Sequence, residues 1–301
     1  MGAGVYGLFS TLHGAALNGL LAQLLPAELL APANGALQTM REGFRLCGPL
    51  VGAGLFTVVG GRVVVMVDAA TFVVAAGCVA LLRLREERPD PPERRLGAEL
   101  SAGVGALWRA DPLRRLVLAG AATMLVLGFL ETVVYAVVQA LGRPPAFLGV
   151  LVTVQGTGAI AGGLTAAWLV RRLGEEALGG LALLALAAGV GLLVSRWLPV
   201  VFAGMVLQGV AMPWFGVAIA TLTQRSVPVA VIGRVSTATD LLFSAPATLS
   251  IGVGAALVGV LDYRLLLAVI AVVSTAAAVP LLRRGSHPAV LAAAPAPAGD
   301  P

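Results

Sequence analysis

The sequence contains no lysine, and all 20 of its basic residues are arginine. A phosphate-binding loop of the GxxxxGK type is therefore excluded, because its chemistry needs the lysine ammonium on the phosphates. Histidine is scarce as well. With only His13 and His287, no HExxH zinc helix can be built. The two cysteines, Cys47 and Cys78, both fall inside apolar runs, which argues against a disulfide framework or a thiolate metal site. No nucleophile, base or metal-ligand spacing points to an enzyme, and no cofactor is expected. Charge is low: 12% of residues are charged and 58% are hydrophobic, with mean hydropathy +0.95. Soluble domains carry about a quarter charged residues, so a water-soluble globule is excluded.

Long apolar runs fill the chain instead. Crossing ~30 Å of hydrocarbon takes about 20 residues at 1.5 Å each. Nine runs reach that length: 3–25, 34–59, 63–82, 116–138, 147–170, 177–194, 199–223, 235–260 and 263–282. Period-2 alternation in ten-residue blocks is missing, which disfavours a membrane β-barrel. The sequence predicts an all-α, polytopic membrane helical bundle embedded in a lipid bilayer.

Net charge is +5 with a pI near 10.2, yet the arginines sit at helix ends and form no basic groove with interleaved aromatics. A nucleic-acid partner is not expected. When connections are assigned alternately to two sides, sixteen arginines collect on one side. Only Arg62, Arg143, Arg196 and Arg264 fall on the other. This asymmetry predicts a cytoplasmic C-terminus and, with nine crossings, an N-terminus outside. The first run has neither a basic flank nor a small-residue cleavage site, so it does not read as a signal peptide.

Sliding the chain against itself reveals one informative offset, 202 residues without gaps. Gly2 meets Gly204, Gly7 meets Gly209, Gly14 meets Gly216, Pro26 meets Pro228, Gln38 meets Asp240, Gly52 meets Gly254 and Arg62 meets Arg264. Identities over residues 1–82 exceed chance and fall on Gly, Pro and Arg. Parallel repeats of this kind characterise one large transporter architecture. Three further runs precede the second copy. Their counterparts would precede Met1, so the expectation is that three helices of a twelve-helix protein are missing from this chain.

The stretch LLPAELLAPANGALQTMREGFRLCGPLVGAGLF, residues 24–56, resembles the fourth-to-fifth helix region of the major facilitator superfamily, most nearly its bacterial drug, macrolide and siderophore exporters. Residues 67–85 resemble the sixth helix, and 162–176 the loop between helices eight and nine. The resemblance implies a major facilitator bundle of 3 + 6 helices. In it, residues 1–82 form an incomplete first half, 83–115 a central cytoplasmic loop with an amphipathic helix, 116–284 a six-helix second half and 285–301 a disordered tail. It also implies secondary transport, export and proton coupling in the plasma membrane, with a monomer expected.

Within the opening stretch, Asn34, Gln38, Arg41 and Arg45 follow at i, i+4, i+7 and i+11, one face of a helix, and continue into Gly48 and Gly52. Glu42 can partly compensate the arginines. Pro49 removes a backbone hydrogen bond, and the glycines permit close helix approach. By resemblance, Arg41, Arg45, Gly48, Pro49 and Gly52 form the exporters' antiporter motif, with Ala53 in place of its last glycine and Phe44 at its leading position. Ordinary small-residue packing is the alternative. Under either reading Gly48→Leu is damaging. In the second copy, Gly233, Thr237, Asp240 and Ser244 repeat the spacing, and the two stripes are expected to face a shared cavity.

Glu131, with Tyr135 one turn on, is the most informative acid, because an ionisable group inside a membrane span is a functional candidate by default. It is read as a proton or substrate carrier, with a structural role as the alternative. Gln155, Gln38 and Asp240 are further candidates for lining the path. Trp214 is either a stacking surface for a ligand or part of the core. Asp68 reads as a local cap or interface residue and His13 as a buried polar contact. Gly158, Gly162 and Ala166 repeat every four residues for close packing. In RRLGEE, residues 171–176, Glu175 and Glu176 stand where the family's loop carries basic residues, which puts its gating salt bridge in doubt. Leu96, Leu100, Val104, Leu107 and Trp108 form an apolar stripe suited to a membrane surface.

The function expected is proton-coupled efflux of a small amphipathic molecule by alternating access. The alternative is a truncated, non-transporting membrane fragment or decayed gene product.

Overall fold

The computed structural model describes residues 14–81, 96–258 and 260–284. These residues are almost wholly helical, as apolar runs must be in lipid, where each backbone N–H and C=O needs a partner within its own segment. Helix α1 occupies 14–24. It is followed by α2 (Ala27–Ala80), α3 (Leu96–Arg109), α4 (Asp111–Leu127), α5 (Leu130–Ala140), α6 (Leu148–Leu173), α7 (Glu175–Leu192), α8 (Leu198–Ser226), α9 (Val229–Leu257) and α10 (Tyr263–Arg284).

Among the described residues, six helices are long and apolar enough to cross a membrane, and the bent pair α4–α5 makes a seventh. The last five predicted spans coincide with α6 to α10. The predicted span 116–138 is not one rod, because α4 and α5 meet at 50°. The first predicted span falls largely at 1–13, outside the described residues. The second and third run together as α2, with the only break at Gly60. There φ is +78° and ψ 159°, a conformation that costs glycine nothing but strains any side chain. Gly174, at φ +82°, likewise separates α6 from α7.

Close backbone approach organises the bundle around α6 and α8. A Cβ on Gly158 would stand 2.3 Å from the Val206 carbonyl oxygen, and one on Gly162 2.7 Å from that of Val210. The small-residue stripe therefore packs as the sequence predicts. On the opposing helix, Gly209 meets the Gln155 carbonyl oxygen at 1.9 Å by the same measure. Two core clusters fill the bundle. One, with Leu113, Leu178, Ile232 and Leu281, lies toward the arginine-rich end. The other, with Val133, Val190, Leu267 and Ile270, lies toward the opposite end.

Helix α2 packs on this frame only through its first half. Gly35 lies against Gly163, and Leu46 fills the space over Gly156. From residue 44 to 81 nearly every described side chain is exposed. At Gly48 and Gly52, where close approach is expected, a Cβ meets nothing within 4 Å among the described residues. Glycine permits approach, but a neighbour has to be there. Helix α3 packs against α9, with Leu107 fully buried while Val104 and Trp108 stay exposed.

Candidate functional site

Two polar regions occupy opposite ends of the frame. Away from the arginine-rich end, a cavity of about 200 Å³ lies between α5, α6 and α8. Its polar lining consists of Glu131 and Tyr135 from α5, Gln155 from α6 and Gln208 from α8. Leu148, Val152 and Met205 supply apolar wall. The bend between α4 and α5 sets this geometry. Gly128 sits at that bend, so close to α9 that an added Cβ would lie 2.7 Å from the Ile251 backbone nitrogen. Glu131 follows in the first turn of α5, solvent-accessible in the cavity and without an ion pair among the described residues.

Gln208 was not singled out by sequence. Its side chain is 1% exposed, and its one polar contact is Nε2 donating to the Met205 sulfur at 3.9 Å. The residue lines the cavity wall, so its carboxamide can serve a polar group of a ligand there. The available signal was a lone amide in the middle of an apolar run.

At the arginine-rich end the chain closes on itself. Asn34 is 5% exposed, and its Nδ2 donates to Thr221 Oγ1 at 3.0 Å and Gln224 Oε1 at 2.7 Å. Gln224 in turn donates to the Asn18 carbonyl oxygen at 3.4 Å, and Asn18 to Ser236 Oγ at 3.5 Å. Four helices, α1, α2, α8 and α9, are thereby joined by one network. Beside it Arg225 pairs with Glu175 and donates to the Ala27 carbonyl oxygen at 2.6 Å. Arg115 pairs with Glu176 at 2.8 Å. Both acids at the start of α7 thus pair with arginines on neighbouring helices.

The other predicted residues divide between these regions and the outer face. Gln155 joins Glu131 at the cavity. Gln38 packs on α8, its Nε2 occupying the space over Gly216. Trp214 donates from Nε1 to Thr165 Oγ1 at 3.0 Å and packs on the core. Asp240 lies exposed on α9, and among the described residues α2 does not pack against α9. The two stripes therefore do not meet directly. Arg41 and Arg45 are exposed, and Arg45 Nε donates to Glu42 at 2.7 Å. The α2 backbone stays helical through Pro49, and Asp68 is exposed on the same helix.

The Asn34 network forms only while α2 and α8 are packed together. Asn34→Leu, which strands Thr221 and Gln224, is expected to destabilise that arrangement by about 1–3 kcal/mol, a shift in its population of about 5- to 150-fold. Spin labels at the exposed positions Leu29 and Val229, with Cys47 and Cys78 changed to serine, would report it by their distance distribution. A variant distribution identical to the parent would count against this role.

No protein-family model matches the chain, and no curated protein matches it in sequence. Solved structures do. A bacterial homologue of the iron transporter ferroportin, in an outward-facing state, superimposes with a TM-score of 0.72 at 18% identity over 92% of this chain and 69% of its own. The same homologue with soaked iron gives 0.64 at 18% identity, covering 88% and 64%. The human organic anion transporter MFSD10 gives 0.76 at 17% identity, covering 89% and 67%. A helical, multi-pass membrane architecture is thereby defined, and its fold is the one these transporter structures share.

Proposed function

We propose that the chain is a secondary transporter that exports a small amphipathic molecule in exchange for protons by alternating access. In this reading it acts as a monomer in the plasma membrane, with the arginine-rich end and C-terminus in the cytoplasm. The observation that carries it is the pairing of a closed end with a cavity at the other. Asn34 and Arg225 tie helices together on one side, while Glu131, Tyr135, Gln155 and Gln208 line a 200 Å³ space toward the other. One protonatable carboxylate among amides and aliphatic wall suits exchange of a proton for an amphipathic ligand. Among the described residues no three His, Cys, Asp or Glu side chains come together, and no arginine lines the cavity. The lining thus favours a small organic molecule over a metal ion or an organic anion.

The test is reconstitution of the 301-residue chain into liposomes with an imposed pH gradient. Ethidium and carboxyfluorescein serve as cationic and anionic probes, and pyranine reports internal pH. Ethidium movement that follows the gradient and is accompanied by a pyranine change is the expected result. Movement indifferent to the gradient would remove proton coupling, and no movement of either dye would count against export of amphipathic molecules.

A further inference from the structure

The arginine-rich end holds a second cavity that the transport reading does not use. It measures about 350 Å³, lies between α4 and α10, and is lined by Arg115, Val279, Pro280 and Arg283. Arg115 is half-buried and engaged by Glu176 through Nε and Nη2. Arg283 is exposed and has no ion pair among the described residues. The groove therefore carries one uncompensated guanidinium at the end of a membrane span.

Helical periodicity extends the groove into the apolar region. On α4 the residues one, two and three turns beyond Arg115 are Leu118, Ala122 and Leu125, all exposed. On α10, stepping back from Arg283 past Pro280 reaches Val272, Ala268 and Leu265, again exposed. Val272 is 67% and Leu118 45% exposed. Both stripes begin at the arginines and run toward the opposite end of the bundle, a polar mouth over two apolar rails.

We propose that this groove is a binding site for an anionic phospholipid. Its phosphate lies at Arg283, with Arg115 beside it, and its acyl chains lie along Leu118 and Leu125 of α4 and Leu265 and Val272 of α10. Charge complementarity selects the headgroup, since guanidinium binds phosphate oxygens through paired N–H donors. Basic pockets between membrane helices on the cytoplasmic side bind anionic headgroups on the same grounds. A free phosphate would use the arginines but leave the rails unused.

Native mass spectrometry of the detergent-purified chain, titrated with phosphatidylglycerol or phosphatidylcholine, tests the site. Phosphatidylglycerol adducts are expected at lower lipid concentration than phosphatidylcholine adducts. Arg283→Ala should weaken them about fivefold, the scale of one arginine near a charged membrane surface, and Arg283→Lys should restore most of that loss. An unchanged melting temperature for Arg283→Ala shows that the fold is intact. The proposal is overturned if both lipids bind alike, if Arg283→Ala retains phosphatidylglycerol at parental affinity, or if millimolar inorganic phosphate displaces the lipid completely.

Discussion

Glu131→Gln is expected to remove the pH-gradient dependence of transport while leaving the protein folded. The carboxylate sits in the first turn of α5, open to the cavity, and makes no ion pair among the described residues. Glutamine has nearly the same shape, so no packed contact is lost. What disappears is the one carboxylate that, among the described residues, lines the space between α5, α6 and α8. Gradient-driven flux should fall by roughly a hundredfold, the scale on which deletion of a proton-transfer group acts. Flux measured at several gradients in proteoliposomes separates two roles. If the gradient dependence persists and only the apparent affinity changes, Glu131 binds ligand without carrying the proton. If neither changes, the cavity is not the transport site.

Among the described glycines, Gly209→Ala is expected to damage the fold more than any other glycine-to-alanine change. Its Cβ would lie 1.9 Å from the Gln155 carbonyl oxygen and 2.9 Å from the Ala159 nitrogen, both backbone atoms of α6. A side chain could turn away, but a helix backbone cannot. Helices α6 and α8 would have to separate by about 1.5 Å to reach ordinary contact distance, and overpacking of this kind costs about 1–3 kcal/mol or more. The melting temperature in detergent should drop by several degrees. The displacement also moves Gln155, so the cavity should open or collapse with it. Gly52→Ala provides the control, because its Cβ meets nothing within 4 Å among the described residues. Equal melting temperatures for the two variants would show that the α6–α8 interface is looser than described.

These two glycines mark the limit of sequence reading. Both stand in apolar runs with small neighbours, and the repeat at 202 residues pairs Gly7 with Gly209 and Gly52 with Gly254. Sequence marks all four as places where helices can approach. It does not say which approach is used. At Gly158 and Gly162 the expectation and the packing agree, because a run of small residues four apart presents one continuous face that α8 fills. At Gly48 and Gly52 no described neighbour comes within reach, since α2 leaves the frame beyond Leu46.

Glu175 and Glu176 teach the same lesson in charge. Read along the chain, they depart from the resembled family's loop and leave its ionic contact unsupported. In the fold they meet Arg225 and Arg115, which are distant in sequence and adjacent only because the end of α8 and the start of α4 lie at the same level as the start of α7.

Hydropathy and length by themselves determined that the chain is a bundle of membrane-spanning helices, and where five of them, α6 to α10, lie. A segment in lipid satisfies its own backbone hydrogen bonds, so its existence is a local property. Charge along the chain likewise sorted the helix ends into two sides. Tertiary structure decided the 50° bend before Glu131, the burial of Gln208, the partners of Asn34 and the union of Glu131 with Gln155 in one cavity. Each depends on which helix lies beside which. Apolar helices in lipid gain almost nothing in hydrophobic free energy by choosing one neighbour over another. The choice is left to close packing and a few polar contacts between residues far apart in sequence.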